Sequence, residues 1–146
     1  MDIAAEKIPS YTEWLKISHD KFNAFPIGFA FNDEQFEEQK KKLGVKDDSQ
    51  LVSIGYGGFI RRADQKAFHE MNKSLKDRKE RYLKNKQFVY EMFRYELANH
   101  EYVITFDIDD TLDACGITFE EYRANPMYME QMENAKNDYL ANWRNE

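Results

Sequence analysis

Three aspartates within four positions form the part of the sequence best suited to chemistry. Asp107, Asp109 and Asp110 directly follow the apolar run Tyr102–Phe106. Carboxylate oxygens are the ligands that a hard cation such as Mg²⁺ prefers. If the apolar run is a strand, alternate side chains project from the same side of its end. Asp107 and Asp109 are therefore the alternative catalytic and metal-binding residues, with Mg²⁺ as the alternative cofactor.

The ten residues Val103 to Leu112 resemble motif one of the haloacid dehalogenase superfamily, in which an apolar strand runs into D-x-D-x-T. The resemblance implies a Mg²⁺-dependent phosphoryl hydrolase in which Asp107 attacks phosphorus and Asp109 acts as general acid and base. Only 35 residues follow Thr111, too few for the parallel sheet that carries the remaining residues of such an enzyme. Hydrolysis is therefore the alternative function, and the preferred interpretation is that the aspartates end a strand and cap a helix.

Four short apolar segments predict a small antiparallel sheet. They lie near residues 27–31, 51–55, 58–61 and 102–107, and a glycine-rich stretch typical of a hairpin joins the second to the third. Helical spacing of apolar residues dominates the rest of the chain. We therefore predict an α+β fold, with residues 1–146 as a single domain and 118–146 as a helical C-terminal extension.

Helix boundaries can be predicted from local signals. Capping boxes at Ser10–Glu13 and Thr118–Glu121 predict helix starts, as does Asn32 as an N-cap. Gly44 and Gly116 predict helix ends, because glycine accepts the left-handed conformation. A long helical region follows Asp64, and the sequence leaves open whether Lys84-Asn85-Lys86 divides it into two helices.

The segment Asn99-His100-Glu101-Tyr102 is predicted to be a structural corner between a helix and a strand. Asn99 suits the left-handed end of the helix. His100 and Glu101 could act in catalysis only with a nucleophile or with metal ligands, and the sequence indicates neither. We therefore interpret these four residues as structural.

Charge is distributed unevenly along the chain. The net charge is −6, yet residues 61–86 hold ten Lys or Arg against four acids, and residues 107–146 hold ten acids against three bases. The overall negative charge argues against nucleic-acid binding, whereas the uneven distribution could steer a protein partner. It could equally be the solvated surface of helices.

Apolar residues at helical spacing predict a final amphipathic helix that ends near Trp143. Its apolar stripe is either part of the core or a contact for a partner. Together with two basic residues from 61–86, the stripe supplies the candidate binding residues, which are Tyr128, Met132, Tyr139, Trp143, Arg78 and Lys79.

Composition restricts the compartment. The single Cys115 cannot form an internal disulfide, and no apolar run approaches the roughly 20 residues that span a bilayer. The first ten residues lack the pattern of a secretory signal. We therefore expect a cytoplasmic protein that does not associate with membranes.

Three segments resemble an uncharacterised family of short proteins from phages and gut bacteria. They are Phe93–Thr105, with the pattern ELxNHEYxIT, Ala30–Phe36 and Gly57–Ile60. The resemblance spans roughly residues 20 to 117 and implies no catalytic residues. The expected function is therefore that of a non-enzymatic accessory protein, encoded by a phage, that binds a host protein; inhibition of bacterial defence is one form this could take.

Overall fold

The structure is a computed structural model that describes residues 7–145. The expectation about a signal sequence concerns mainly residues 1–6, which lie outside the described residues. Over the described range the chain forms eight α-helices and three β-strands. None of these helices is long and apolar enough to cross a membrane.

The chain divides into two compact units. The sheet unit is Leu15–Arg78, and the helical unit contains the described residues up to Trp14 and from Lys79 onward. Both boundaries fall inside helices, the first within α1 (Tyr11–Ala24) and the second within α3 (Gln65–Tyr82).

The sheet unit contains the small antiparallel sheet, and the fold is α+β as predicted. Its elements in chain order are most of α1, then β1 (Gly28–Phe29), α2 (Asp33–Lys42), β2 (Leu51–Gly55), β3 (Gly58–Arg61) and most of α3. The strands lie in the order β1-β3-β2, with both pairs antiparallel. The bounds of β2 and β3 agree with the predicted segments, whereas β1 has two residues where the sequence predicts five.

Glycine makes the turn between β2 and β3 possible. Gly55 and Gly57 both have positive φ, and Tyr56 between them is left-handed as well. The turn pairs Val52 with Ile60 across the two strands. The buried side chains of this unit include Leu43, Val45 and Phe59, against which Ala30, Phe36 and Leu51 pack.

Both ends of α2 follow the predicted signals. The Asn32 side chain accepts a hydrogen bond from the Gln35 amide at 2.8 Å and so caps the first turn. At the other end the Gly44 amide donates to Lys41 and the Val45 amide donates to Lys40, which is a Schellman motif. Gly44 has φ +71° and ends the helix as expected.

Replacing Gly57 with alanine is expected to destabilise the protein more than replacing Gly44. Both glycines have positive φ, which costs other residues about 1–2 kcal/mol. A Cβ at Gly44 meets no atom within 4 Å, whereas one at Gly57 would lie 2.9 Å from the Ala30 carbonyl oxygen and 2.8 Å from the Phe31 ring. Urea denaturation should show a loss of about 1 kcal/mol for Gly44→Ala and at least about 2 kcal/mol for Gly57→Ala. Equal losses would show that the Ala30 backbone moves aside freely.

The helical unit is organised around the helix with the most buried side chains, α4 (Lys86–Asn99). Besides α4 and the ends of α1 and α3, its elements are α5 (Tyr102–Thr105), α6 (Asp109–Cys115), α7 (Phe119–Ala124) and α8 (Pro126–Asn142). Helix α4 packs against α5, α6 and α8, and α7 packs against α8. Val89, Met92, Phe93 and Leu97 on α4 are completely buried.

The long helical region after Asp64 is divided into two helices. Helix α3 ends at Tyr82, and Asn85 caps the start of α4 by accepting a hydrogen bond from the Phe88 amide at 2.9 Å. The segment Lys84-Asn85-Lys86 therefore does divide the region into two helices, because Asn85 caps the second one.

The predicted strand at 102–107 is wrong. Residues 102–105 form α5, a single helical turn flanked by two left-handed residues, Glu101 and Phe106. The predicted left-handed end at Asn99 is also wrong, because Asn99 is the last residue of α4. Burial of the Tyr102 ring, which contacts Phe106 and Tyr139, outweighs the β propensity of this apolar run.

The predicted boundaries after this segment are confirmed. Helix α6 ends at Gly116, which has φ +73°, and the Thr118–Glu121 capping box is complete. Helices α7 and α8 cover most of residues 118–145.

Candidate functional site

The alternative catalytic aspartates, Asp107 and Asp109, lie at the start of a helix. The Asp107 side chain accepts a hydrogen bond from the Asp109 amide at 2.8 Å, immediately before α6. The N-cap position itself is Ile108, which makes no side-chain hydrogen bond, and Asp109 and Asp110 lie in the first turn of α6. The hydrolase alternative required a strand that presents both side chains at the edge of a sheet, and a helical turn occupies that position.

The aspartates at the start of α6 carry like charges close together. The neighbouring Asp107 carboxylate is the main cause of the raised pKa of Asp109. Among residues 7–145, no group of three or more His, Cys, Asp or Glu side chains is arranged to hold a metal ion. The like charges of Asp107 and Asp109 therefore repel across an exposed turn.

Most of the predicted stripe on α8 lies in the core of the helical unit. Met132 is 0% exposed and Tyr139 is also buried, since α8 packs against α4. Tyr128 is half-buried, with its ring 6.2 Å from that of Phe93. Trp143, just beyond α8, is 38% exposed. Of the four aromatic and apolar candidates, Trp143 is thus the most available to a partner.

The two basic candidates lie on either side of the unit boundary in α3. Arg78, the last residue of the sheet unit, is half-buried. Lys79 belongs to the helical unit, where its amino group donates to the Cys115 carbonyl at 2.8 Å. Burial lowers the pKa of Lys79. Lys79 is half-buried and therefore acts as the capping partner of the last residue of α6.

The predicted corner joins two helices, α4 and α5, where the sequence predicts a helix followed by a strand. His100 lies 3.2 Å from the Glu96 carboxylate, one helical turn earlier on α4. Tyr102 is buried, and Glu101 has φ +54°. Asn99 lies at the exposed end of α4, where it lines a surface groove together with Ser10 and Thr12.

Glu96 is the centre of a buried polar cluster. It is only 5% exposed, and it accepts a hydrogen bond from the Tyr11 hydroxyl at 2.7 Å in addition to its contact with His100. Burial and the Glu96 carboxylate both raise the pKa of Tyr11. Burial, with a smaller effect of Glu96, raises the pKa of the Cys115 thiol to about 12. The Tyr11 hydroxyl and the Cys115 thiol are thus held neutral beside the Glu96 carboxylate, which suits a structural role.

An open groove of about 730 Å³ lies on the surface of the helical unit. Its walls are the start of α1, the exposed side of α4 and the end of α8. The lining side chains include Ser10, Thr12, Glu91, Arg94, Tyr95 and Trp143. The Arg94 guanidinium stacks 4.9 Å from the Tyr139 ring centre, and Tyr95 packs edge-on against Tyr11.

Sequence reasoning missed the residues of the polar cluster and of the groove wall. Glu96 lies three residues after Phe93 and seven after Val89, on the buried side of α4, and His100 follows four residues later. A carboxylate within an apolar stripe, with a histidine one turn away, is a recognisable signal for a buried pair. No comparable signal marks Arg94 and Tyr95, because their role depends on how α1 and α8 pack against α4.

The fold and the site define a small α+β protein with a buried polar cluster and an open aromatic groove in its helical unit. The chain belongs to DUF7659, a family of unknown function whose model matches residues 10–138. No curated protein and no solved structure matches the chain. The matched range is longer than the resemblance drawn from the sequence, which ends near residue 117. The family's shared region therefore takes in α7 and most of α8.

Proposed function

We propose that this protein acts by binding another protein, and that the groove of the helical unit is its contact site. The observation that carries the proposal is the composition of the groove wall. Tyr95, Arg94 and Trp143 line it together, and these are the residue types that contribute most binding energy at protein interfaces.

The groove is also prepared for binding before a partner arrives. Arg94 is stacked on Tyr139 and Tyr95 is packed on Tyr11. Side chains already held in place lose less conformational entropy when a partner binds. The polar Ser10, Thr12 and Glu91 at the edges can supply hydrogen bonds that fix the register of a bound segment.

The resemblance to short phage and gut-bacterial proteins suggests the source of the partner. A phage-encoded member with no catalytic machinery of its own would act on a host protein, and inhibition of a bacterial defence protein is one such action. The proposed activity is therefore non-enzymatic, and it takes place in the host cytoplasm.

Point variants test the groove better than truncation does. Removing residues 126–146 would delete α8, which packs against α4, so the helical unit would lose its core. Trp143→Ala and Tyr95→Ala instead remove exposed aromatic surface from the groove. Tyr56→Ala is the matched control, because Tyr56 is an exposed aromatic residue of the sheet unit.

The experiment is affinity capture from host lysate with all four proteins at equal concentration, followed by measurement of the affinity for the captured protein. Each groove variant is expected to weaken binding by about tenfold or more, as for an interface hot spot. Tyr56→Ala should bind like the wild type. A partner that both groove variants retain at full affinity would show that the groove is not the contact.

A further inference from the structure

We infer a second interaction surface on the helical unit, which binds a Lys- and Arg-rich surface of a partner protein that has an apolar cleft. It is called the acidic-apolar surface here, and it is formed by residues 101–122. This inference rests on the proposed function only in that the protein binds proteins, since none of these residues lines the groove.

Three large apolar side chains on this surface face solvent. Ile104 is 71% exposed, Phe106 is 65% exposed, and Phe119 is exposed as well. Large apolar side chains that are exposed close together, with polar residues around them, mark interaction sites on soluble proteins. Their exposure is thus the first reason to expect a partner here.

Each of the two exposed phenylalanines packs against a buried tyrosine of the helical unit. The Phe106 ring contacts Tyr102, and the Phe119 ring contacts Tyr122. The Lys136 amino group lies 5.9 Å from the Tyr102 ring centre and also interacts electrostatically with Tyr122. Phe106 and Phe119 therefore each contact a tyrosine that lies near Lys136.

The surface carries charge of one sign. Residues 101–122 contain seven acids and no Lys or Arg. All seven are exposed, and they are Glu101, Asp107, Asp109, Asp110, Asp113, Glu120 and Glu121. Three cations lie beside these residues. Lys79 donates to the Cys115 carbonyl, Lys136 is paired with Glu133 at 2.9 Å, and Arg123 stacks on the Phe119 ring.

Charge complementarity determines the kind of partner. Seven carboxylates repel nucleic acid and anionic lipid, and they attract a surface rich in Lys and Arg. The apolar side chains require, in addition, a cleft that removes them from water. A cationic protein surface with an apolar cleft meets both requirements.

The test uses a defined probe, a synthetic amphipathic helix of about 18 residues with Lys on one side and Leu on the other. Its controls are the same peptide with Glu in place of Lys and the same peptide with Ser in place of Leu. Binding to the full-length protein is measured by fluorescence anisotropy at low and high salt. Sedimentation of the protein alone measures self-association.

Four variants locate the contact. Ile104→Ser with Phe106→Ser removes apolar surface without changing charge, and Phe119→Ser does so outside α5. A triple variant, Asp109→Asn with Asp110→Asn and Asp113→Asn, reduces the negative charge of the surface and is called the aspartate variant. Phe31→Ser with Tyr56→Ser removes equally exposed aromatic rings from the sheet unit as the matched control.

The Lys and Leu peptide is expected to bind the wild type better than either control peptide. The Ile104 and Phe106 double variant should bind it about tenfold more weakly, and Phe119→Ser and the aspartate variant should also weaken it. The sheet-unit control and Trp143→Ala should bind normally, and high salt should reduce binding. The same binding results for this peptide would be expected even if the groove were not a contact site.

Four results would overturn the inference. They are no preference of the wild type for the Lys and Leu peptide, unchanged binding by both apolar variants, an equal loss in the sheet-unit control, and self-association that depends on Phe106. Unchanged binding by the apolar variants alongside a loss in the aspartate variant would show unspecific charge attraction. Self-association would assign the surface to a second copy of this chain.

Discussion

Replacing Glu96 with alanine is expected to lower the free energy of unfolding of the helical unit by about 3 kcal/mol, as when one partner of a buried polar pair is removed. The carboxylate is 5% exposed, accepts a hydrogen bond from the Tyr11 hydroxyl and lies 3.2 Å from His100. Its loss leaves the buried Tyr11 hydroxyl without this partner. Urea denaturation followed by tryptophan fluorescence measures the effect, because Trp14 and Trp143 both belong to this unit.

Two variants serve as controls for Glu96. Tyr11→Phe removes one hydrogen bond and keeps the ring contacts with Phe88 and Tyr95, so a smaller loss of about 1–2 kcal/mol is expected. Glu130→Ala removes an exposed carboxylate from α8 and should change stability by less than about 0.5 kcal/mol. If Glu96→Ala behaved like Glu130→Ala, the polar cluster would have no structural role.

Met132→Ala is expected to cost about 3 kcal/mol of stability, within the range for buried Met to Ala changes. Met132 is 0% exposed and lies on α8, which packs against α4. The sequence made this residue a candidate for partner contact, and the two roles predict different outcomes. A core residue changes the denaturation midpoint, whereas a contact residue changes the affinity for the partner.

Trp143→Ala is the matched variant for Met132, since Trp143 directly follows α8 and is partly exposed. It should reduce stability by less than Met132→Ala and should weaken partner binding. Thermal denaturation by circular dichroism suits this pair, because Trp143→Ala removes one of the fluorescent reporters. The reverse pattern, with a stable Met132→Ala protein that fails to bind, would place Met132 at the interface.

The parts of the fold that the sequence predicts are those specified by short-range chemistry. The hairpin follows from glycines that accept positive φ at Gly55 and Gly57, and the end of α2 follows from Gly44. The caps at Asn32 and Thr118 each depend on one side chain and on an amide three residues later. Such signals need no knowledge of the rest of the chain.

The strand predicted at 102–107 shows where short-range reasoning ends. Its residues favour a strand by propensity, yet Tyr102 is buried within the helical unit and the chain forms one helical turn between two left-handed residues. That choice depends on packing between segments distant in sequence, including α8. Propensity describes only how a residue suits a half-buried sheet, so it could not reveal this outcome.

The candidate site likewise contains residues that the sequence indicates and residues that only the packing of helices reveals. The apolar stripe at Tyr128, Met132 and Tyr139 was visible in the sequence, but not which of its members would be buried. Trp143 remained accessible because it lies beyond the end of α8. Arg94 and Tyr95 became groove residues only through the packing of other helices beside α4.

The lone cysteine gives the helical unit its own chemical probe of opening. Cys115 is almost completely buried, and burial raises the pKa of its thiol to about 12. The thiolate is the reactive form, so at neutral pH the folded protein both covers the sulfur and keeps it protonated. The rate at which a thiol reagent labels Cys115 should therefore follow the transient exposure of α6, and a bound partner that stabilises this unit should slow it.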